Sequence, residues 1–133
     1  MEDIHPDDVL YRRLAWSQVR KGRKEANSTA YMTNNFPDTE ISVYIERLLD
    51  CSMDKVLEDL GKPHFGYGKL IAKNVTDRNF LIKHAPVEGN YAHAVITGCS
   101  TLTHCGELAD ITEVVKAPVE PPKKPPAAPP PVG

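Results

Sequence analysis

The stretch Tyr91-Ala92-His93-Ala94-Val95-Ile96-Thr97-Gly98 constrains the fold more than any other, because it reads as a strand buried on both sides. Alternation assigns Tyr91, His93, Val95 and Thr97 to one face and Ala92, Ala94 and Ile96 to the other. The second face is apolar and mostly small, which suits close packing under a helix. The first face carries one imidazole among groups able to surround or orient it. His93 is therefore the leading candidate for a functional residue, with a hydrogen-bonded structural histidine as the competing reading.

A sheet built around such a strand needs enough chain to cover it. The protein has 133 residues, a formal net charge of -2, 41% hydrophobic and 26% charged residues. These values fit one globular domain with its own core. A charge this close to zero argues against a nucleic-acid footprint spread over the surface. One local basic cluster exists, Arg12, Arg13, Arg20, Lys21, Arg23 and Lys24, and reads first as a solvated edge and turn. The sequence has no apolar run of membrane-spanning length and no signal-peptide pattern at Met1-Glu2-Asp3-Ile4-His5-Pro6, so the expected location is cytoplasmic. Three cysteines, Cys51, Cys99 and Cys105, agree with a reducing compartment, since an odd number at irregular spacing makes a poor disulfide framework.

Along the chain, Asp8 to Trp16 reads as a strand, Ser17 to Asn27 as an exposed turn, and Ser28 to Met32 as a short strand pairing back. Ile41, Val43 and Ile45 alternate, yet Ile41, Tyr44, Ile45, Leu48 and Leu49 fall at helical spacing, which favours a helix over residues 40–49 capped by Asp38 or Thr39. A second helix begins at a Ser52 cap, carries Met53, Val56, Leu57 and Leu60 as its buried stripe, and stops at Gly61 before Pro63. Gly66 and Gly68 read as a flexible entry to a strand at Lys69 to Lys73. Phe80 to Lys83 reads as a short strand or a single helical turn, and residues 107–115 as a final short helix. The expected architecture is a small mixed β-sheet packed with two or three short helices.

From Lys116 onward the composition changes to a run dominated by proline, so residues 1–117 form the expected domain and 118–133 a disordered polyproline-type tail. Within the tail, Lys123, Pro126 and Pro129 recur at threefold spacing and share one ridge of a polyproline helix, the form that proline-recognition grooves accept. These three are the candidate partner-binding residues.

Metal and thiol chemistry have less support. His93, Cys99, His104 and Cys105 supply two nitrogens and two sulfurs, but adjacent His104 and Cys105 do not form a zinc knuckle, and no metal is expected. A thiolate at Cys99 with His84 or His93 as its base is conceivable, without spacing that favours it over buried thiols.

The ordered pieces His5-Pro6-Asp7, Leu10-Tyr11-Arg12-Arg13, Ser28 to Tyr31, Ile41-Ser42-Val43-Tyr44 and Ala92-His93-Ala94 with Val95 to Gly98 resemble a family of small uncharacterised prokaryotic proteins. The likeness covers most of residues 5–98 and implies a compact α+β domain of bacterial origin. A more distant similarity is to ADP-ribosyltransferase-like folds, which place an arginine on the first strand and a serine on a later one. That resemblance implies Arg12 or Arg13 and Ser28 in those parts, with NAD as cofactor; His93, singled out from its strand position, would have to converge with them. The glutamate that completes such sites has only Glu107 as a positional match.

The resulting expectation is a small binding or accessory protein, from a mobile-element or defence locus, that acts on a protein partner and needs no cofactor. The alternative is an NAD-using transferase with His93, Arg12, Arg13 and Ser28 as its catalytic group.

Overall fold

The computed structural model describes residues 1–20, 25–33, 36 and 40–122. Six strands form one open sheet: β1 (Val9–Leu14), β2 (Ile41–Ile45), β3 (Gly66–Ile71), β4 (Leu81–His84), β5 (His93–Thr97) and β6 (Glu113–Lys116). Their order across the sheet is β4-β5-β2-β1-β3-β6. Three α-helices accompany them, α1 (Met53–Asp59), α2 (Ala72–Thr76) and α3 (Leu102–Asp110), with 3-10 turns at Trp16–Gln18, Ser28–Tyr31 and Glu46–Leu48. The α+β class is as expected, but the pairing is antiparallel throughout rather than mixed. The short link between β4 and β5, residues 85–92, suits an antiparallel pair, because a parallel pair needs a long crossover.

The two faces of the sheet differ in depth. On the inner face Leu10, Leu14, Ile41, Val43, Ile45, Leu70, Ala94 and Ile96 join Tyr31, Phe80, Cys105 and Leu108 in the main core. The turn Ser28–Tyr31 and helix α3 cover this face. Tyr31 is fully buried, and its hydroxyl meets Thr112 Oγ1 at 2.6 Å. Because Thr112 Oγ1 donates its own proton to Leu108 O at 2.7 Å, Tyr31 is the donor in that pair. Burial raises the Tyr31 phenol to about 12, so it stays protonated. The outer face is thinner: Tyr44, Met53 and Val56 are buried there, with Tyr11, Leu49 and Tyr67 packed against them under α1.

Several elements depart from the expected reading. Residues 41–45 are a strand and only Glu46–Leu48 turns, because Ile41, Val43 and Ile45 are all needed at the inner face, a period-2 demand that overrides the helical spacing. Ser28–Tyr31 is a 3-10 turn, not a strand: the Asn27 side chain accepts from the Thr29 N–H and starts it. The last helix begins earlier and ends sooner than expected, at Leu102 after a Thr101 cap that accepts from the His104 N–H. Val114 then belongs to β6, where its side chain is buried. Tyr91 lies outside β5 and is 53% exposed, and β5 is one strand in from the edge rather than central. Helix α1 does follow its capping signals. Ser52 Oγ accepts from the Lys55 N–H, and Gly61, at φ 71°, lets its own N–H and that of Lys62 reach the carbonyls of Glu58 and Leu57.

Gly66 and Gly68 are not a flexible entry but part of β3, where β6 and the segment after it press on them. A Cβ on Gly68 would stand 2.6 Å from Thr112 Cγ2, and one on Gly66 would meet Lys116 O and lie 2.6 Å from Pro118 N. Contacts with the body accordingly continue past Ala117: Pro118 is buried and the Val119 N–H donates to His64 O at 2.9 Å. At the opposite end, Asp8 is buried and paired with Arg47 at 2.9 Å, which holds its carboxyl below the usual carboxylate range. No helix is long and apolar enough to cross a membrane among the described residues.

Replacing Gly66 with alanine is expected to destabilise the protein by about 2 kcal/mol, since the new methyl group meets main chain that cannot swing aside. Chemical denaturation of the Gly66→Ala protein measures this; an unchanged midpoint would show that β6 does not pack this closely.

Candidate functional site

Arg12 occupies the inner face of β1, where alternation would place an apolar residue. Its side chain is buried, and among the described residues no carboxylate meets it. The guanidinium instead spends its donors on backbone carbonyls: Nε and Nη2 on Ala30 O at 3.0 and 2.8 Å, and Nη1 on Ser42 O at 3.0 Å. Its Cζ lies 5.8 Å from the centre of the Tyr31 ring. The reason is a gap in the sheet. Strands β1 and β3 pair over six positions, from Val9 with Ile71 to Leu14 with Gly66, whereas β1 and β2 pair only at Leu10 with Ile45 and Tyr11 with Tyr44. Beyond Tyr11 the β2 carbonyls have lost their ladder donors on that side, and Arg12 supplies one. Burial lowers its pKa to about 10, which leaves it charged at neutral pH.

His93 opens β5 on the outer face, in one row with Tyr44 and Tyr11. Its Nδ1 is 2.7 Å from Ala85 O, and its Nε2 is 3.0 Å from Ser42 Oγ. A carbonyl only accepts, so Nδ1 carries the proton, and the bare Nε2 receives the Ser42 hydroxyl. The ring stands edge-on to Tyr44, 5.8 Å between centres. Ser42 thus joins two of the residues singled out by sequence: its carbonyl is held by Arg12 from the inner face and its hydroxyl by His93 on the outer face.

The four residues proposed as a catalytic group do not line one cleft. Arg12 is sealed on the inner face, while Arg13, which alternates with it, and His93 share the outer face. Ser28 starts the 3-10 turn that Arg12 reaches at Ala30, on the inner side. The convergence that an NAD-using site requires is therefore absent from these positions. Ser42 was not among the candidates, because nothing in a short strand sequence signals a partner 51 positions away.

His84 is also taken up by structure. It is buried, accepts the Glu2 N–H at Nδ1 (3.0 Å) and donates from Nε2 to Tyr91 O (2.7 Å), which ties the N-terminal segment to the edge of the sheet. Tyr91 OH and Arg47 fasten the same segment through Glu2 and Asp3. Cys99 and Cys105 lie side by side in the core with their sulfurs 3.4 Å apart, and burial with that contact raises the Cys99 thiol to about 12. Neither thiol lies against His84 or His93, whose ring nitrogens are engaged as described. Among the described residues, no three His, Cys, Asp or Glu side chains are grouped to hold a metal ion.

A second feature lies where β1 ends, the loop after α1 passes, and the chain leaves β6. There an apolar groove of ≈ 380 Å³ is lined by Trp16, Pro63, Phe65, Val119 and Pro121 among others. Trp16 is 39% exposed, and Lys62 Nζ sits 5.0 Å from the centre of the Phe65 ring. One wall of the groove is the start of the proline-rich segment, held there by the Val119 bond to His64 O. Lys123, Pro126 and Pro129 lie outside the described residues. No family model, no curated protein and no solved structure matches the chain.

Arg12→Met is expected to cost about 3 kcal/mol of stability, because it strands two buried carbonyls while keeping most of the apolar stem. Denaturant unfolding reads this, and a loss below about 1 kcal/mol would show that water or another donor serves those carbonyls.

Proposed function

We propose that the protein is a binding module whose recognition surface is the groove at Trp16 and Phe65, and that its ligand is an extended, proline-rich peptide segment. The observation that carries this reading is that proline-rich chain already packs at the groove: Val119 and Pro121 form part of its wall, with Pro118 buried and the Val119 N–H bonded to His64 O. Aromatic faces suit this ligand for a physical reason. A polyproline helix is preformed, so docking orders little of it, and its ring edges pack on flat indole and phenyl surfaces.

The groove's chemistry also supports a peptide more than a small charged substrate. Its lining is mainly apolar, and Lys62 is a nearby cation able to meet a ligand carbonyl or carboxylate at the rim. The chain's own tail, with Lys123, Pro126 and Pro129 at threefold spacing in the sequence, is the available example of the proposed ligand chemistry. The setting we propose is the cytoplasm, which the odd number of thiols supports.

Trp16 is the single tryptophan of the chain, so its emission reports on the groove directly. Titration with a synthetic peptide of the sequence 119–133 is expected to shift that emission saturably, with a Kd on the order of 10–100 μM given the small contact area. A version with every proline replaced by alanine is expected to bind at least about tenfold more weakly, because it must be ordered on docking. Unchanged emission at millimolar peptide, or equal binding of the two peptides, would refute the reading.

A further inference from the structure

We infer that Ser42 and His93 form a nucleophile and general-base pair that accepts the acyl group of small carboxylic esters, a reading independent of the peptide groove. Three parts of such a pair are present. The Ser42 hydroxyl points at His93 Nε2 at 3.0 Å, within proton-transfer reach. His93 Nδ1–H is anchored on Ala85 O at 2.7 Å, which fixes the ring and leaves Nε2 as the basic nitrogen. Ser42 itself is held from behind, its carbonyl bound by the buried Arg12 at 3.0 Å, so the hydroxyl is presented by a main chain that cannot shift. Ser42 and His93 are both half-buried on the outer face rather than sealed in the core.

The neighbours on that face define the substrate class. Lys83 pairs with Val95 and Val95 with Ser42, so Lys83, Val95 and Ser42 form one row across β4, β5 and β2, and Arg13 shares the same face from β1. Two strand spacings separate Lys83 from Ser42 at the backbone, roughly 10 Å, a span that a lysine side chain and a small substrate bridge together. Cations on both flanks suit an ester whose acyl part carries a negative charge.

The chemistry balances without a cofactor. Ser42 Oγ bonds to the acyl carbon while its proton passes to His93 Nε2. The bond from that carbon to the leaving oxygen breaks, and the alcohol departs with the proton held on His93. Water then attacks the acyl-Ser42 ester with His93 again as base, releasing the acid and restoring the hydroxyl.

The test is incubation of the full chain with p-nitrophenyl benzoate and with p-nitrophenyl 4-carboxybenzoate, whose carboxylate cannot reach its own ester, followed by peptide mass spectrometry and by p-nitrophenol release. The expected result is an acyl group on Ser42, and release slowed about 100-fold in Ser42→Ala, a change that leaves the backbone and its bond to Arg12 intact. The 4-carboxybenzoate is expected to react faster than the benzoate, each measured against its rate without protein, with that preference lost in Lys83→Ala. Acyl groups found only on lysines or the N-terminus, or Ser42→Ala turning over at the unaltered rate, would overturn the assignment. Equal rates for the two esters would overturn the anionic preference.

Discussion

The buried guanidinium of Arg12 is the interaction on which the rest of the structure depends. It sits where β1 and β2 stop pairing, and it replaces the missing rungs with bonds to Ser42 O and Ala30 O. Hydrogen bonds from a charged donor contribute about 1.5 to 3 kcal/mol each, while taking an ion out of water costs several kcal/mol, so Arg12 stabilises by less than the sum of its bonds and its loss is costly chiefly because it strands the carbonyls. What it supplies is specificity. Only a planar fork reaches carbonyls on two separate elements at once, and doing so sets the turn Ser28–Tyr31 over the sheet at one height. Tyr31 is then aimed at Thr112, which closes the core against the end of α3.

Both candidate sites follow from the same strand. Alternation along β1 puts Arg12 inside and Arg13 outside, and the strand's end delivers Trp16 to the groove. On the far side of β2 the order imposed by Arg12 on the Ser42 carbonyl is passed to the Ser42 hydroxyl and so to His93. The groove depends on a different close approach. Gly66 and Gly68 let β6 lie tight on β3, and that contact delivers Pro118 and Val119 to the rim beside Phe65. Neither arrangement depends on a cysteine or on the N-terminal segment, which is fastened separately by His84, Tyr91 and Arg47.

Sequence revealed those parts of the fold that local chemistry decides. Ser52 and Gly61 bracket α1 because capping groups act within a few residues, and the alternation of Val9 to Leu14 and of His93 to Thr97 is visible because β-branched and aromatic residues repeat at period 2. Reading failed where distant partners decide. Residues 41–45 carry apolar groups at both periods, and only the neighbouring strands β1 and β5 select the extended form. Val114 resembles the end of an amphipathic helix until β3 offers it a ladder. Arg12 was noticed as a cation for a ligand, whereas its partners are carbonyls 18 and 30 positions away. Ser42 and the groove were invisible for the same reason, since each is assembled from segments that no local pattern connects.

The account turns on whether the Arg12 side chain is bonded to main chain in solution, and nitrogen-detected NMR of the arginine Nε–H groups answers that directly. The Nε–H assigned to Arg12 through its loss in Arg12→Lys is predicted to exchange with water at least about 100-fold more slowly than those of the exposed arginines. An Arg12 Nε–H that exchanges as fast as the others would contradict the buried bond, and with it the placement of both the Ser28–Tyr31 turn and Ser42.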